Sequence, residues 1–378
     1  MSAATDGRIG LDETKLIPDP PPEAVPYDPV DSWNPIALAT LEPRPVEPPR
    51  LAHGLLYPGR RHLWSGEPES GKSWAALIAC AQEVLRGRTV LYIDFETDEH
   101  ETAERFAALG LPPEALVPFL YVRPAEPVGR AGVREHLDRM VSEHRPTIVV
   151  VDAYAGALDL HGLDPNKGAD IERLNRALFE PLRAHGAAVV VLDHLAKDRE
   201  RRGKFSIGSE RKVGAVDVHL GFEVVDPFGR GRTGLVAVSV HKDRPGYLLR
   251  PHVADLHLES DPGTGRITYE FRRPPPADET GSFRPTRLME KVSRHVESQR
   301  EPISRNVIEN DVSGQRRYVR AAIDTLAREG YLTETAGPRN ARRYQSVRAY
   351  REAQDPVENG LEDDLARPRP DLARGEDE

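Results

Sequence analysis

The octapeptide Gly66-Glu67-Pro68-Glu69-Ser70-Gly71-Lys72-Ser73 constrains this chain more than any other feature. It fits G-x-x-x-x-G-K-[ST], a loop whose inward-pointing backbone N–H groups cradle phosphate oxygens. Its glycines let the main chain curl. Lys72 is placed to reach the outer phosphates of a nucleoside triphosphate, and the Ser73 hydroxyl to ligate Mg²⁺. A helix starting near Gly71 turns its positive end toward the same anion. A surface turn carrying a solvated lysine would satisfy the pattern equally, but the setting argues against it. The run Leu63-Trp64-Ser65 ends a strand-like stretch, and Trp74-Ala75-Ala76-Leu77-Ile78-Ala79-Cys80-Ala81 continues as an apolar helix. Strand, loop and helix is the order a phosphate loop requires.

From about residue 54 to 273, strand patterns alternate with helical ones. Thr89–Asp94, Phe119–Val122, Thr147–Asp152 and Ala187–Asp193 read as strands, with helical stretches at Glu101–Leu109, Gly132–His144 and Asp170–His185 between them. Thr147–Asp152 and Ala187–Asp193 are apolar at nearly every position, as strands covered on both faces are. This predicts an α/β fold with a mainly parallel central sheet. The later runs Val216–Val225, Gly234–His241 and Tyr247–Leu258 follow one another with turns between, which predicts an antiparallel extension of that sheet.

Around this body, residues 1–53 are rich in Pro and acid and read as an extended or disordered arm with one apolar island at Trp33-Asn34-Pro35-Ile36. Residues 274–282 read as a linker, 283–350 as a small helical unit, and 351–378 as an acidic disordered tail. The chain carries 52 Lys+Arg against 61 Asp+Glu, a formal net charge of −9. One cysteine, Cys80, excludes an internal disulfide framework and a cysteine-based zinc site. No apolar run approaches a membrane span and the N-terminus has no leader pattern, so the expected compartment is the cytoplasm and no membrane partner is expected.

Two acids complete a hydrolytic site on paper. Asp152 ends a buried strand, where a carboxylate holds Mg²⁺ through water, although such an acid can also simply cap the next turn. Glu96 closes Tyr92-Ile93-Asp94-Phe95-Glu96, where a carboxylate can polarise the water that attacks the γ-phosphate; Asp94, Asp98 and Glu99 are its rivals. The order of phosphate loop, acid-ended strand and Asp152 resembles the RecA-like P-loop ATPases of the RepA and DnaB helicase type. Asp193-His194-Leu195-Ala196-Lys197 is similar to the His-His-x-x-Lys element of the RepA group, with Asp193 in place of the first His. The resemblance implies His194 as the γ-phosphate sensor, and it implies that the basic segment Asp198–Ser209, including Lys204, faces single-stranded DNA in a ring channel. His241-Lys242-Asp243-Arg244 looks like the Lys-x-Arg element that DnaB- and KaiC-like subunits insert into a neighbour's ATP site. On that likeness Arg244 is an arginine finger and Lys242 its partner, and the protein is a ring, a hexamer in that group.

The stretch from Thr286 to Tyr344 resembles a winged helix-turn-helix. Leu288, Met289, Val292 and Val296 form a helical stripe, a helix runs from Arg316 to Glu329, and a basic turn with Arg339, Arg342 and Arg343 follows between two strand-like runs. Residues 283–350 hold 14 Lys+Arg against 8 Asp+Glu, a surplus of six positive charges in an otherwise acidic chain. After a short helix at Ile303–Asp311, Arg316, Arg317 and Arg320 at the start of the third helix, with the wing arginines, are the expected DNA contacts; a protein-binding module is the alternative. The expected function is an ATP-hydrolysing, DNA-associated motor of the RepA-type replicative helicase group, serving a phage- or plasmid-like element. A DNA-binding regulator that uses the ATPase as a switch, and a small-molecule kinase, are the alternatives.

Overall fold

In the strands Ile148–Asp152 and Ala188–His194 every residue up to Asp193 is buried, so the sheet that contains them must be covered on both faces. The structure, a computed structural model, describes residues 38–42, 47–195, 207–272, 284–337 and 341–354. The described residues from 47 onward belong to one compact unit; before it only a single 3₁₀ turn, Leu38–Thr40, is described.

Nine strands form the main sheet. In chain order they are β1 (Arg61–Gly66), β2 (Val90–Asp94), β3 (Phe119–Val122), β4 (Ile148–Asp152), β5 (Ala188–His194), β6 (Val218–Asp226), β7 (Thr233–Asp243), β8 (His252–Ser260) and β9 (Ile267–Arg272). The spatial order is β3-β2-β4-β5-β1-β6-β7-β8-β9. β3 through β6 in that order run parallel, and β7, β8 and β9 continue the sheet antiparallel. The parallel sheet with an antiparallel extension matches the expectation. It is longer than expected by β9, whose sequence Ile-Thr-Tyr-Glu-Phe-Arg alternates between a buried and a more exposed face as an edge strand does.

Alternate residues of each strand feed two apolar layers. Trp64, Tyr92, Val150, Val190 and Leu192 pack on one face against α1 (Lys72–Leu85) and Phe106 of α2 (Glu99–Ala108). Leu63, Ile93, Val149, Val151 and Val191 pack on the other, against α3 (Val133–His144), α4 (Tyr154–Leu160) and α5 (Gly168–Leu174). The helix expected at 170–185 continues from α5 through a π turn, Asn175–Phe179, into α6 (Glu180–Ala184). The body begins a little earlier than the expected boundary at 54: Leu51 and Ala52 are buried, and Leu51 bridges to Leu56.

The segment 198–209, expected as a loop, divides. Residues 196–206 lie outside the described residues, with Lys197 and Lys204 among them, while Ile207–Gly214 is a helix, α7. Lys212 of α7 reaches back to Asp193 (2.9 and 3.0 Å), and Lys242 Nζ donates to the carbonyls of Val213 and Val216 (2.7 Å each) at the helix end. The helix is therefore pinned at its C-terminal turn, where free carbonyls accept from a cation.

Residues 284–354 contain α8 (Thr286–Glu297), β10 (Ile303–Ser304), α9 (Arg305–Asp311), α10 (Arg316–Arg328), β11 (Leu332–Ala336) and β12 (Arg342–Ser346). The three short strands pair in the order β10-β12-β11, antiparallel. Their core of Leu288, Val292, Val319, Ile323, Leu326 and Tyr344 is continuous with Val225, Leu235 and Ala237 of β6 and β7. The helical unit thus sits on the sheet and shares apolar surface with it. Among the described residues no helix is long and apolar enough to cross a membrane.

Candidate functional site

Four neighbouring strands, β2, β4, β5 and β1, run parallel, so their carboxyl ends open on one edge of the sheet. That edge is where an open α/β sheet presents its binding crevice. The phosphate loop leaves β1 there. Gly66 has no room for a side chain, since a Cβ would lie 2.5 Å from the Phe222 carbonyl oxygen and from Ser70 Oγ. Gly71 has φ +82 and precedes α1 directly, so the loop closes in a left-handed residue that glycine adopts at no steric cost.

Lys72 is 3 % exposed and folds back over its own loop. Its Nζ donates to the carbonyls of Gly66 and Glu67 (3.0 Å each) and to Ser70 Oγ (3.1 Å), and lies 3.4 Å from His194 Nδ1. Burial pulls its ammonium down to about 8, with Asp152, Asp193 and Glu96 opposing that shift.

Asp152 ends β4 in register with Asp94 of β2. The Tyr92 hydroxyl donates to its Oδ2 (2.6 Å), and burial pushes its carboxyl up while that hydrogen bond opposes. Its Oδ1 is buried and accepts no hydrogen bond. A buried carboxylate oxygen with no donor, beside the Ser73 hydroxyl, fits a hard cation or its water. Mg²⁺ would be held by Ser73 and Asp152, where it neutralises charge on the phosphates.

Two rivals of Glu96, Asp94 and Asp98, are already engaged. Asp94 accepts from the N–H groups of Glu96 and Thr97 (2.9 Å each) and from the hydroxyls of Thr97 (2.6 Å) and Tyr121 (3.0 Å). Asp98 caps α2 through Glu101 N (2.9 Å). Glu96 itself stands at the cleft, 2.9 Å from His194 Nε2. Ligand atoms of Glu96, Asp152 and His194 all lie within 4.8 Å of one another. Lys72, Ser73, Glu96, Asp152 and His194, which are spread over more than a hundred residues of sequence, thus converge on one edge of the sheet.

Residues 32–200 match the family model described as an AAA domain. The matched region is a RecA-like, AAA-type ATPase domain, and it takes in the phosphate loop, Glu96, Asp152 and His194. Such a domain binds nucleotide and supports ATPase chemistry, usually with Mg²⁺. A search of curated proteins finds no match. The family match ends before α7, so it does not reach Lys242, Arg244 or residues 284–354.

Those outlying residues are placed as follows. Asp243 pairs with Val218 at the start of β6, whereas Gly66 pairs with Phe222 further along. Lys242 and Arg244 therefore lie at the opposite end of the strands from the AAA domain's phosphate loop. Lys242 is engaged with α7, and Arg244, 60 % exposed, contacts Asp217 (3.4 Å). Among the expected DNA contacts, Arg317 is ion-paired with Glu223 of β6, so it faces the sheet. Arg320 pairs with Glu309 (2.7 and 3.1 Å), Arg316 donates to Asn310 (3.0 Å), Arg342 pairs with Glu334 (3.2 Å), and Arg343 donates to the Pro302 carbonyl (3.2 Å). Arg339 lies outside the described residues.

Sequence reasoning missed Tyr92, whose hydroxyl orients Asp152, and Lys212, the partner of Asp193. Tyr92 could have been found: it lies two residues before Asp94, on the same side of a parallel strand neighbouring β4. Lys212 carried one weak signal, a lysine in a chain whose basic residues are mostly arginine.

Proposed function

We propose that the protein binds ATP with Mg²⁺ at the phosphate loop and hydrolyses it as the motor of a DNA-associated ring of the RepA-type helicase group, acting in the cytoplasm. The observation that carries the hydrolytic part is the convergence of Lys72, Ser73, Asp152, Glu96 and His194 at one sheet edge. In this reading the N–H groups of the loop Gly66–Ser73, to which Pro68 contributes none, grip the phosphates together with the Lys72 ammonium. Glu96 accepts a proton from the attacking water. His194, in contact with both Glu96 and Lys72, registers the γ-phosphate.

Position supports the ring reading. Arg61 and Gly66 bound β1, and Asp217 bonds both Arg61 N and Arg244. Arg244 is thus about 16 Å, the length of a five-residue strand step, from its own phosphate loop. An arginine there serves a nucleotide only across an interface between subunits, with Lys242 holding the strand end that presents it. The small unit with helices α8–α10 and strands β10–β12 is read as a winged helix whose Arg316, Arg320, Arg342 and Arg343 contact DNA, with Lys204 and Arg339 as further contacts. A role in replicating a phage- or plasmid-like element goes with the helicase reading.

The seating of that unit favours a second reading. Its helix α10 starts against the sheet, with Gln315 N donating to the Val225 carbonyl (2.9 Å) and Arg317 paired to Glu223. A DNA-binding regulator that uses nucleotide as a switch needs such a fixed seat, and a translocating motor does not. Strand displacement on a forked duplex with ATP separates the two. Release of the displaced strand supports the motor; ATP-dependent binding without displacement supports the regulator. Absence of any ATP hydrolysis overturns both.

A further inference from the structure

The turn that carries Arg244 is braced by a buried residue far from it in sequence. It leaves the end of β7 and runs Asp243-Arg244-Pro245-Gly246-Tyr247-Leu248. Gly246 takes φ +88, which lets the chain reverse there without steric cost. Both feet of the turn meet at one oxygen. The Tyr57 hydroxyl donates to Asp243 Oδ2 (3.2 Å) and accepts from the Tyr247 N–H (3.2 Å). Asp243 Oδ2 also accepts from the Leu248 N–H (2.9 Å), so carboxylate and phenol together close the turn. Asp243 Oδ1 is buried and accepts no hydrogen bond among the described residues. Removing the phenol oxygen would therefore leave a buried carboxylate short of one donor and the Tyr247 N–H without this acceptor.

Tyr57 is itself tied to β1. It is 1 % exposed, its N–H donates to His62 Nε2 (3.0 Å), and its ring stacks on the His62 imidazole with centroids 6.1 Å apart. His62 lies on the strand that leads into Gly66. Burial pulls it down to about 4, so its ring is neutral at pH 7 and Nε2 can accept. A second tie runs beside the first. The Arg244 N–H donates to the Asp217 carbonyl (3.0 Å), and Asp217 Oδ2 accepts from the Arg61 N–H (3.1 Å). The turn thus hangs from two successive residues of β1, Arg61 and His62, while the Arg244 side chain stays exposed.

We propose that Tyr57 is a positioning residue, whose hydroxyl sets the turn that offers Arg244 to the nucleotide of a neighbouring subunit. The proposal rests on the reading of Arg244 as a finger acting across an interface, and it adds what aims that finger. Tyr57 touches no nucleotide. A cation on a braced turn meets transition-state charge without first being ordered, and a shift of about 1 Å in such a group costs on the order of 10²-fold in rate.

Steady-state ATPase of Tyr57→Phe, Arg244→Ala and the double variant tests this as a cycle. Tyr57→Phe removes the hydroxyl and keeps the ring. Its kcat is expected to fall about ten- to a hundredfold. Its KM for ATP should stay within about twofold, since a finger acts on the transition state. In the Arg244→Ala background the same change should cost less than about twofold, because the group that Tyr57 aims is gone. Asp243→Asn disturbs the same tie from its other end; it should act in the same direction, and it serves if Tyr57→Phe does not fold. Unchanged kcat in both Tyr57→Phe and Asp243→Asn, a change in KM alone, or a loss that multiplies with that of Arg244→Ala overturns the positioning role and leaves the finger standing. If Arg244→Ala itself leaves kcat unchanged, the finger reading fails and the role of Tyr57 falls with it.

Discussion

Lys72 sets how this site should respond to pH. In the free protein its ammonium is buried and donates to the Gly66 and Glu67 carbonyls and Ser70 Oγ, while the carboxylates of Asp152, Asp193 and Glu96 act from further away. Burial therefore wins, and the group sits at about 8 where a free lysine titrates at 10.5. Phosphate oxygens would replace neutral carbonyls with anions and favour the charged form. Binding must then draw in a proton wherever the free lysine has lost one. With a midpoint of about 8, roughly nine in ten free molecules carry the ammonium at pH 7 and roughly one in eleven at pH 9. The affinity for ADP should accordingly fall about tenfold between those two values, about 1.4 kcal/mol, and continue down by about a decade per pH unit toward 10.5. The ligand's own phosphate, with its second ionisation near pH 6, is about one-eleventh protonated at pH 7 and fully ionised by pH 8, so the rise in uptake is read from pH 8 to 9. Calorimetry in two buffers of different ionisation enthalpy reads the protons directly. Uptake at Lys72 should rise from about one tenth of a proton per site at pH 7 to about nine tenths at pH 9. Lys72→Arg stays charged throughout, so whatever its affinity, the slope should vanish. Constant affinity from pH 7 to 9.5 in the unaltered protein, or release of protons on binding, would refute the argument.

Glu96→Gln removes the proton acceptor and keeps the shape, so single-turnover hydrolysis should slow by about 10²- to 10⁴-fold with ADP affinity little changed; equal losses in both would place Glu96 in binding instead. Arg244→Ala should lower steady-state ATPase by about 10³-fold or more, and the unaltered protein's activity per subunit should rise with concentration. A monomer that is fully active by light scattering at its assay concentration rules out the trans finger. Val225→Asp puts a carboxylate into the 0 % exposed seam between β6 and the helical unit, and should destabilise by at least about 3 kcal/mol in denaturant unfolding. Because the seam is shared, the unaltered protein should unfold with one midpoint by circular dichroism and by Tyr and Trp fluorescence; two separate midpoints would mean the units are independent.

Local patterns made much of this legible. The phosphate loop is contiguous, so its residues were identifiable without knowing the fold. Asp152 and Glu96 could be singled out as candidates because buried parallel strands advertise themselves as apolar runs, and binding crevices open at their carboxyl ends. Illegible were the contacts made between segments distant in sequence. Asp193 departs from the His of the resembling family, and only the fold shows that it holds Lys212 (2.9 Å) on α7. The helix α7, whose first three residues fall in the segment 198–209 expected to face DNA, is not legible locally, because its sequence Ile-Gly-Ser-Glu-Arg-Lys-Val-Gly has glycines at two positions and little apolar periodicity; tertiary ties from Lys212 and Lys242 stand in for intrinsic propensity. The seat of the helical unit was hidden for another reason. Phe222–Val225 reads as a plain buried strand, and nothing in it says that Val224 borders the cleft while Val225 packs beneath α8 and α10.

Charge around the cleft gives the strongest physical reason to look for a second subunit. The residues lining it include the carboxylates Glu69, Glu96, Glu101 and Glu104 and the cations Lys72, Arg105 and Arg230. Arg105 is ion-paired to Glu101 on its own helix, and Arg230 lies on the β6–β7 turn. Among the described residues Lys72 is the cation at the phosphate loop itself, and it is the group that burial has already made easier to deprotonate. A ground-state triphosphate can be held there by loop N–H groups, the start of α1 and a divalent cation. The transition state for phosphoryl transfer spreads further negative charge over the equatorial oxygens, and within the described cleft no second cation stands close to Lys72 to meet it. Arg244, exposed at the far end of the same strands and steadied by Asp217, is a cation without a phosphate in its own subunit. In the proposed ring, Arg244 of one subunit would stand at its neighbour's site, and a ring repeats such a match at every interface.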